Sequence, residues 1–320
     1  MLARRHVAYC LAALSPIPLG AQEARWPTRP VRIVVPYQPG GQSDTVMRLM
    51  QPRMAEFLGQ PVVVENRSGA GGTVGAGVVA MAPADGYTFL VDSAAFLIVP
   101  FAVRGLTFDH EATFVPVGMV VEQPYVLAVS ARFPARDLAG FIEIARRQEV
   151  SYGSPGHGGV GHLAGALLAQ RAGIRLEHVP YRGGSDVARD LAAGTLQAAI
   201  LSTNSLDPVL QDRRAVPIAL TSGERRGGPP GVPTIAELGF PGFDIPSWNA
   251  VFARAGTPAA VIARMAQALN YATEAEAVRE GLQRIGSVVV RADPDAAASR
   301  LQRDRALFRD VIQQTGIVFN

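Results

Sequence analysis

Val31-Arg32-Ile33-Val34-Val35-Pro36-Tyr37-Gln38-Pro39-Gly40-Gly41-Gln42-Ser43-Asp44 is the stretch on which the fold class turns. Its first five residues, largely β-branched and apolar, read as a buried strand. A glycine loop follows, and beyond it Val46, Leu49, Met50, Met54 and Phe57 recur at helical spacing. A strand that runs through glycine into a helix leaves first-turn N–H groups and the positive end of the helix dipole at the loop. Such a loop is a seat for an anion. The arrangement recurs at Ser68-Gly69-Ala70-Gly71-Gly72-Thr73-Val74-Gly75 and at Gly153-Ser154-Pro155-Gly156-His157-Gly158-Gly159-Val160-Gly161. No nucleophile–base pair or metal-ligand cluster accompanies these loops in the sequence, so they point to holding an anion rather than transforming one.

Strand and helix signals alternate along the rest of the chain, which predicts an α/β fold with largely parallel sheets. Further strands are expected at 62–65, 87–91, 150–152, 176–180, 196–201 and 216–221, with helices at 75–81, 141–147, 162–171 and 187–193. Pro52 lies inside the first helical pattern and predicts a kink. Thr257-Pro258 and Asp293-Pro294 each place a capping residue before a first-turn proline, predicting two C-terminal helices. The apolar run 117–129 is too long for one strand and is broken by Glu122-Gln123-Pro124, which suits a crossing between domains. A second crossing is expected at 244–252, between Pro241-Gly242 and Gly256-Thr257-Pro258. Two crossings imply a discontinuous first domain, 25–122 with 245–320, and a second domain, 123–244.

The bulk composition narrows the function. With 320 residues, 48% hydrophobic and 18% charged, the chain is globular and large enough for two cores. All 30 basic residues are Arg; the absence of Lys excludes Schiff-base chemistry and a phosphate-binding P-loop lysine. Arg4 and Arg5, the apolar run 7–14 and Leu19-Gly20-Ala21 read as an export signal over 1–21, too short in its apolar part to anchor in a bilayer. Its removal lowers the formal charge from +3 to +1, leaving no electrostatic footprint for nucleic acid. It also removes Cys10, the only cysteine, and with it any disulfide, thiolate or Cys–metal chemistry.

The residues from Trp26-Pro27 through Val35 and the first glycine loop, then Val62 to Gly72, and Ala84-Asp85-Gly86-Tyr87-Thr88, resemble the Bug family. These are periplasmic substrate-binding proteins of tripartite tricarboxylate transporters. The likeness continues through Ser154-Pro155-Gly156-His157-Gly158 with His162-Leu163-Ala164-Gly165, Val179-Pro180-Tyr181-Arg182-Gly183-Gly184, Val232 to Gly239 and Pro241-Gly242-Phe243. It implies a periplasmic-binding-protein-like fold of type II, two α/β domains with a ligand cleft at a two-crossover hinge. It implies that Tyr37, Pro39, Gly40, Gly41 and Asp44 hold one carboxylate of a ligand. Ser154, Pro155, Gly156, His157, Gly158 and Gly159, with His162 at the following helix, then meet the other end. Tyr181, Arg182 and Gly183 line the cleft, and Ser202 and Thr203 add polar contacts. Trp248 is either core or cleft wall. Two departures bear on ligand identity: Gly159 stands where a hydroxyl residue is common, and Gln197 where an Asp is common.

The resemblance implies a periplasmic receptor that needs no cofactor and is not an enzyme. It would act as a monomer, capturing a small carboxylate with two anionic ends and delivering it to a tripartite-type permease. A ligand-presenting sensor fits the same residues. Three other readings start from motifs. Gly156-His157-Gly158-Gly159-Val160-Gly161 matches the dinucleotide fingerprint Gly-x-Gly-x-x-Gly, with Asp92 closing a looser match around Gly69 to Gly75. An exported protein has little access to nicotinamide cofactors. His157 and His162, five apart, sit poorly for one helix face and lack partner ligands for zinc. Ser154 with His157 lacks both a nucleophile elbow and an orienting acid.

Overall fold

The computed structural model describes residues 26–103 and 105–316; the export-signal reading, with Arg4, Arg5 and Cys10, lies outside the described residues. Two sheets form two α/β lobes. In the first, β1 (Val31–Val35) pairs in parallel with β2 (Val62–Asn66) and with β3 (Thr88–Ser93), Val31 facing Val62 and Ile33 facing Phe89. Two antiparallel strands extend this sheet: β10 (Trp248–Arg254) beside β3, and β4 (Phe114–Glu122) beside β10. A two-residue β11 (Val288–Val289) closes its edge in the order β11-β4-β10-β3-β1-β2. The second lobe has the order β7-β6-β8-β5-β9, built from β5 (Tyr125–Ser130), β6 (Val150–Pro155), β7 (Leu176–Tyr181), β8 (Ala198–Ser202) and β9 (Ala215–Leu220).

The apolar run 117–129 is thus two strands in different sheets, parted at Gln123-Pro124. The chain returns between β9 and β10. The two connections are bonded to each other, the Gln123 amide donating to the Ser247 carbonyl at 3.0 Å, and the returning connection is closed on itself by the Ile245 amide donating to the Thr221 carbonyl at 2.9 Å. The Gln123 side chain also donates to the Ile285 carbonyl. Beside these connections α11 packs on α6, so the lobes also share buried apolar side chains.

Helices cover both sheets. Helix α1 (Gln42–Leu58) runs through Pro52 as one element, packing Val46, Met50 and Met54 under β1. Helices α2 (Thr73–Met81), α3 (Ala95–Ala102) and the short α4 (His110–Thr113) follow in the first lobe. The second lobe carries α5 (Leu138–Arg147), α6 (Val160–Ala172), α7 (Gly184–Ala193) and α8 (Thr203–Gln211). The C-terminal α9 (Ala259–Glu274), α10 (Glu276–Arg284) and α11 (Pro294–Thr315) return to the first lobe's sheet. Asp293 caps α11 as its sequence suggests, accepting from the Ala296 amide at 2.8 Å. Thr257 does not cap α9: the helix begins after Pro258 and has no side-chain cap.

Trp248 is core. It is fully buried, and its indole N–H donates to Asp304 of α11 at 2.8 Å. Arg300 bonds both Asp304 oxygens and reaches Glu122 at the end of β4. This buried set ties α11 to the waist, and the Trp248 ring fills space behind the cleft rather than its wall. Replacing a fully buried Trp leaves a cavity that neighbours only partly fill. Trp248→Ala is therefore expected to lower unfolding free energy by about 3–5 kcal/mol, read as a lower urea midpoint at unchanged slope.

Candidate functional site

Between the lobes lies a narrow cleft with a cavity of about 30 Å³, walled by strand ends and the starts of five helices. The first lobe contributes Tyr37 and Gln38, then Gly41, Gln42 and Ser43 at the start of α1, and Ser93 and Ala95 at the start of α3. The second contributes Tyr125 and Pro155, Gly159 and Val160 at α6, Gly183 and Gly184 at α7, and Ser202 and Ser205 at α8. None of these is charged. The N-cap residues Gly41, Ala94, Gly159, Gly183 and Ser202 make no side-chain cap bond. Asp caps occur on α4, α5 and α11, none of which borders the cavity. First-turn amides and positive helix ends thus face the cavity without a capping carboxylate. Gln42 adds a second feature: it is 93% buried (7% exposed), lines the cavity, and neither its amide oxygen nor its nitrogen has a partner.

The lobes are in contact around this space. A Cβ on Gly40 would lie 3.4 Å from the Ser185 hydroxyl, and one on Gly156 would lie 3.4 Å from the Gly71 Cα. The Asn204 amide reaches the Thr45 hydroxyl at 3.4 Å. The second glycine loop therefore meets the third across the cleft, and both Gly71 and Gly156 need their left-handed φ values of 66° and 76°.

Of the residues assigned from the sequence, Tyr37, Gly41, Pro155, Gly159, Gly183 and Ser202 line the cavity. The others surround it or lie apart. Pro39 and Gly40 are exposed at the loop tip. Asp44 is buried but turned away, accepting from the Gly40 amide and from Arg48 at 2.9 Å each. Burial raises its pKa, and those two bonds, with Asn66, outweigh that and hold it below the usual carboxylate range. Its role is to brace the loop. Arg182 is exposed, not aimed at the cavity. The Tyr181 hydroxyl donates to Asp190 at 3.0 Å. Thr203 is buried against Gly286 of the opposite lobe. Gln197 accepts from the Ser151 amide and hydroxyl, a strand-to-strand brace rather than a ligand contact. Gln38, Gln42, Ser43, Ser93, Tyr125 and Ser205 were not assigned. Gln42 and Ser43 had a signal, since uncapped first-turn positions face whatever binds the helix end. Ser93 and Tyr125 had none, because strand facing decides them.

The histidines form a cluster that spacing alone does not reveal. His178 on β7 joins His157 and His162, one ring nitrogen of each lying within 4.8 Å of the others. The His162 and His178 rings stack at 3.8 Å and 10°. His178 thus supplies a third imidazole nitrogen beside the two that the sequence shows, at a spacing that could hold a metal ion, while the His162 and His178 rings also pack on each other. The stack braces the third glycine loop: His162 Nδ1 accepts from the Gly158 amide at 3.2 Å, and His178 Nε2 lies 2.8 Å from the Ser154 hydroxyl. That Ser–His pair is no catalytic dyad. Ser154 is fully buried, and His178 Nδ1 has no acid behind it. Burial first, then the neighbouring imidazoles, lowers His162 to about 4 and His178 to about 2.

Behind the first-lobe wall is a buried acid. Asp92 at the end of β3 accepts the Tyr37 hydroxyl at 2.9 Å and the Ser93 amide at 2.7 Å. Burial dominates over these bonds and raises its pKa to about 7. So engaged, it is not a free carboxylate at the end of a dinucleotide loop.

A two-lobed α/β fold with a cleft of uncapped helix ends at a two-strand waist defines a solute receptor of the periplasmic-binding type. The family model for the tripartite tricarboxylate transporter family receptor, TctC, matches residues 46–317. The chain belongs to that family, whose members are solute receptors rather than enzymes. It is 38% identical over 290 residues to the UPF0065 protein in the tcbD-tcbE intergenic region of Pseudomonas sp. strain P51, covering 90% of this chain and 86% of that one. Among solved structures, R. palustris Rpa4515 with adipate superposes at a TM-score of 0.87, with 32% identity over 92% of this chain and 99% of that one. The periplasmic binding protein BugD gives 0.85 and 29%, over 92% and 99%. MatC from Rhodopseudomonas palustris with bound malate gives 0.81 and 30%, over 90% and 100%.

The imidazole stack has a thermodynamic signature. A histidine whose folded pKa is depressed contributes stability that is present above its unfolded pKa of about 6.5 and lost as pH falls toward the folded value. For His162 that window runs from about 6.5 down to about 4. The stability difference between wild type and His162→Asn is expected to grow by up to about 2 kcal/mol from pH 5 to pH 7. Urea unfolding of both proteins at each pH measures it. The difference is the useful quantity, because Asp92 acts in the opposite sense over an overlapping range.

Proposed function

We propose that this chain is a periplasmic receptor that closes on a short carboxylate with anionic groups at both ends and presents it to a membrane permease of the tripartite type. The observation that carries the reading is the ring of five uncapped helix starts around a cavity with no charged side chain. Each helix end behaves as roughly half a positive charge and offers aligned amides, so opposed ends suit a ligand with two separated anionic groups. The α1 and α3 starts, with Tyr37, hold one end; the α6, α7 and α8 starts hold the other. Gln42 gives its unpartnered amide to the ligand. Adipate and malate, bound in two structural relatives, are both dicarboxylates. Membership of a transporter receptor family supports the permease as the partner and the periplasm as the place.

A thermal-shift series with four- to six-carbon dicarboxylates and matched monocarboxylates tests this. A ligand at one hundred times its dissociation constant stabilises by about 2.7 kcal/mol and raises the melting temperature. Dicarboxylates are expected to do so and monocarboxylates to do less; no response to any acid overturns the reading. Gly156→Trp, at a left-handed position facing Gly71, is expected to hold the lobes apart and abolish the shift while the protein still unfolds cooperatively. Gln42→Leu is expected to weaken binding about tenfold or more, as loss of a hydrogen bond to a charged group does.

A further inference from the structure

We propose that Asp92 is the proton acceptor of the cleft: when an anion fills the cavity, Asp92 takes up one proton, so ligand and proton bind together. This rests on the carboxylate reading above and adds a regulated charge to it. Asp92 stands directly behind the wall, 97% buried (3% exposed), and touches the cavity through the Tyr37 hydroxyl and through Ser93, both of which line it. Both bonds fall on Oδ1, so the proton goes to Oδ2. The titratable groups facing Asp92 are Tyr37, from the loop after β1, and Tyr125 of β5. Burial first and then the charge of Asp92 raise both phenols, so they stay neutral. From β10, Asn249 donates to the Asp92 carbonyl at 3.4 Å and to Ser43 of α1 at 2.6 Å. Among the described residues no cation pairs with Asp92.

A buried carboxylate without a counter-charge, beside a cavity that also lacks one, repels any anion that enters. Like charges in a water-poor site raise the pKa of whichever can take a proton. The ligand's carboxylates lie at helix ends that favour their charge, so the proton falls to Asp92. Asp92 touches no ligand; it is a positioning residue that acts through Tyr37 and Ser93. The free group titrates near pH 7, which puts the switch within the range of ordinary external pH. Below it the acid is already neutral and binding needs no proton; above it each binding event must draw one from solvent.

Isothermal titration with adipate and with malate, at pH 6 and pH 8 in buffers of differing ionisation enthalpy, decides the matter. The wild type is expected to take up close to one proton per ligand at pH 8 and almost none at pH 6. Its affinity is expected to fall up to tenfold for each pH unit above 7. Asp92→Asn is expected to bind with the same affinity at both pH values and without proton uptake. Tyr37→Phe removes a bond that favours the ionised acid, so its pH profile is expected to move upward; this arm and the wild-type proton count stand even where Asp92→Asn fails to fold. Equal affinity at both pH values without proton uptake overturns the inference and leaves the receptor reading intact. Tighter binding at pH 8 overturns it likewise, as does the same preference shown by an ammonium-bearing acid such as glutamate, which would pair with an ionised Asp92. Absence of binding by every acid at either pH overturns the receptor reading and the inference with it.

Discussion

Five positive helix ends aimed at one cavity constitute an electrostatic conflict on which the rest of the structure depends. Each end carries about half a positive charge, and none of the five N-cap residues makes a side-chain cap bond, although the Ser93 hydroxyl accepts from the Ala95 amide of α3. Bringing them together in a closed cleft costs free energy that water would relieve in an open one. An anion between them removes that cost and converts it into attraction. The fold is arranged to allow this choice. The lobes are joined at a waist where Gln123 bonds to Ser247; they meet through glycine loops at the cleft, through the Asn204–Thr45 bond, and behind the cleft where α11 packs on α6. Closure then depends on what occupies the space between them.

The glycines at the cleft serve contact as much as turning. At Gly71 and Gly156 the two lobes approach backbone to backbone, with no room for side chains that would set a fixed distance. The bracing lies one layer back. Asp44 fixes the first loop through Gly40, and the histidine stack fixes the third through Gly158 and Ser154. Loops braced in this way keep the helix ends pre-aimed, so that ordering them is not charged against ligand binding. Asp44 and His162, which look functional in the sequence, thus bond within their own loops.

The chain's reading from sequence succeeds where local physics governs. The strand–glycine–helix units at Val31 to Asp44 and Gly153 to Gly161 are legible because β-branched runs, glycine and helical periodicity each act over a few residues. The two-sheet crossing at Gln123-Pro124 is legible for the same reason. Helix α3 is not legible: its sequence, Ala95 to Ala102, is wholly apolar with a proline and so shows no amphipathic period to set it apart from a buried strand. Helix α8, with Pro208 inside it, is equally hard to read from its residues. The cleft's other side chains were illegible for a geometric reason. Tyr125 and Ser93 reach the cavity from strands in different sheets, and Arg182 misses it by facing solvent, choices set by tertiary packing alone.

A cavity that holds charge with dipoles has a particular freedom. Fixed ammonium or guanidinium groups would bind many anions and release them slowly; amides and helix ends bind only what reaches them at the correct length. Selectivity then falls to the uncharged groups between the ends, and Gln42, Tyr37, Ser43 and Ser205 are the ones this chain places there. In such a site one ionisable acid behind the wall carries unusual weight, since no nearby cation offsets it. Asp92 sits where its charge opposes that of the ligand and its neutral form does not, while His162 and His178 behind the opposite wall stay uncharged at neutral pH. The cleft's potential is therefore set by helix ends, by the first-turn carboxylates Asp44 of α1 and Asp186 of α7, and by Asp92, whose pKa burial raises.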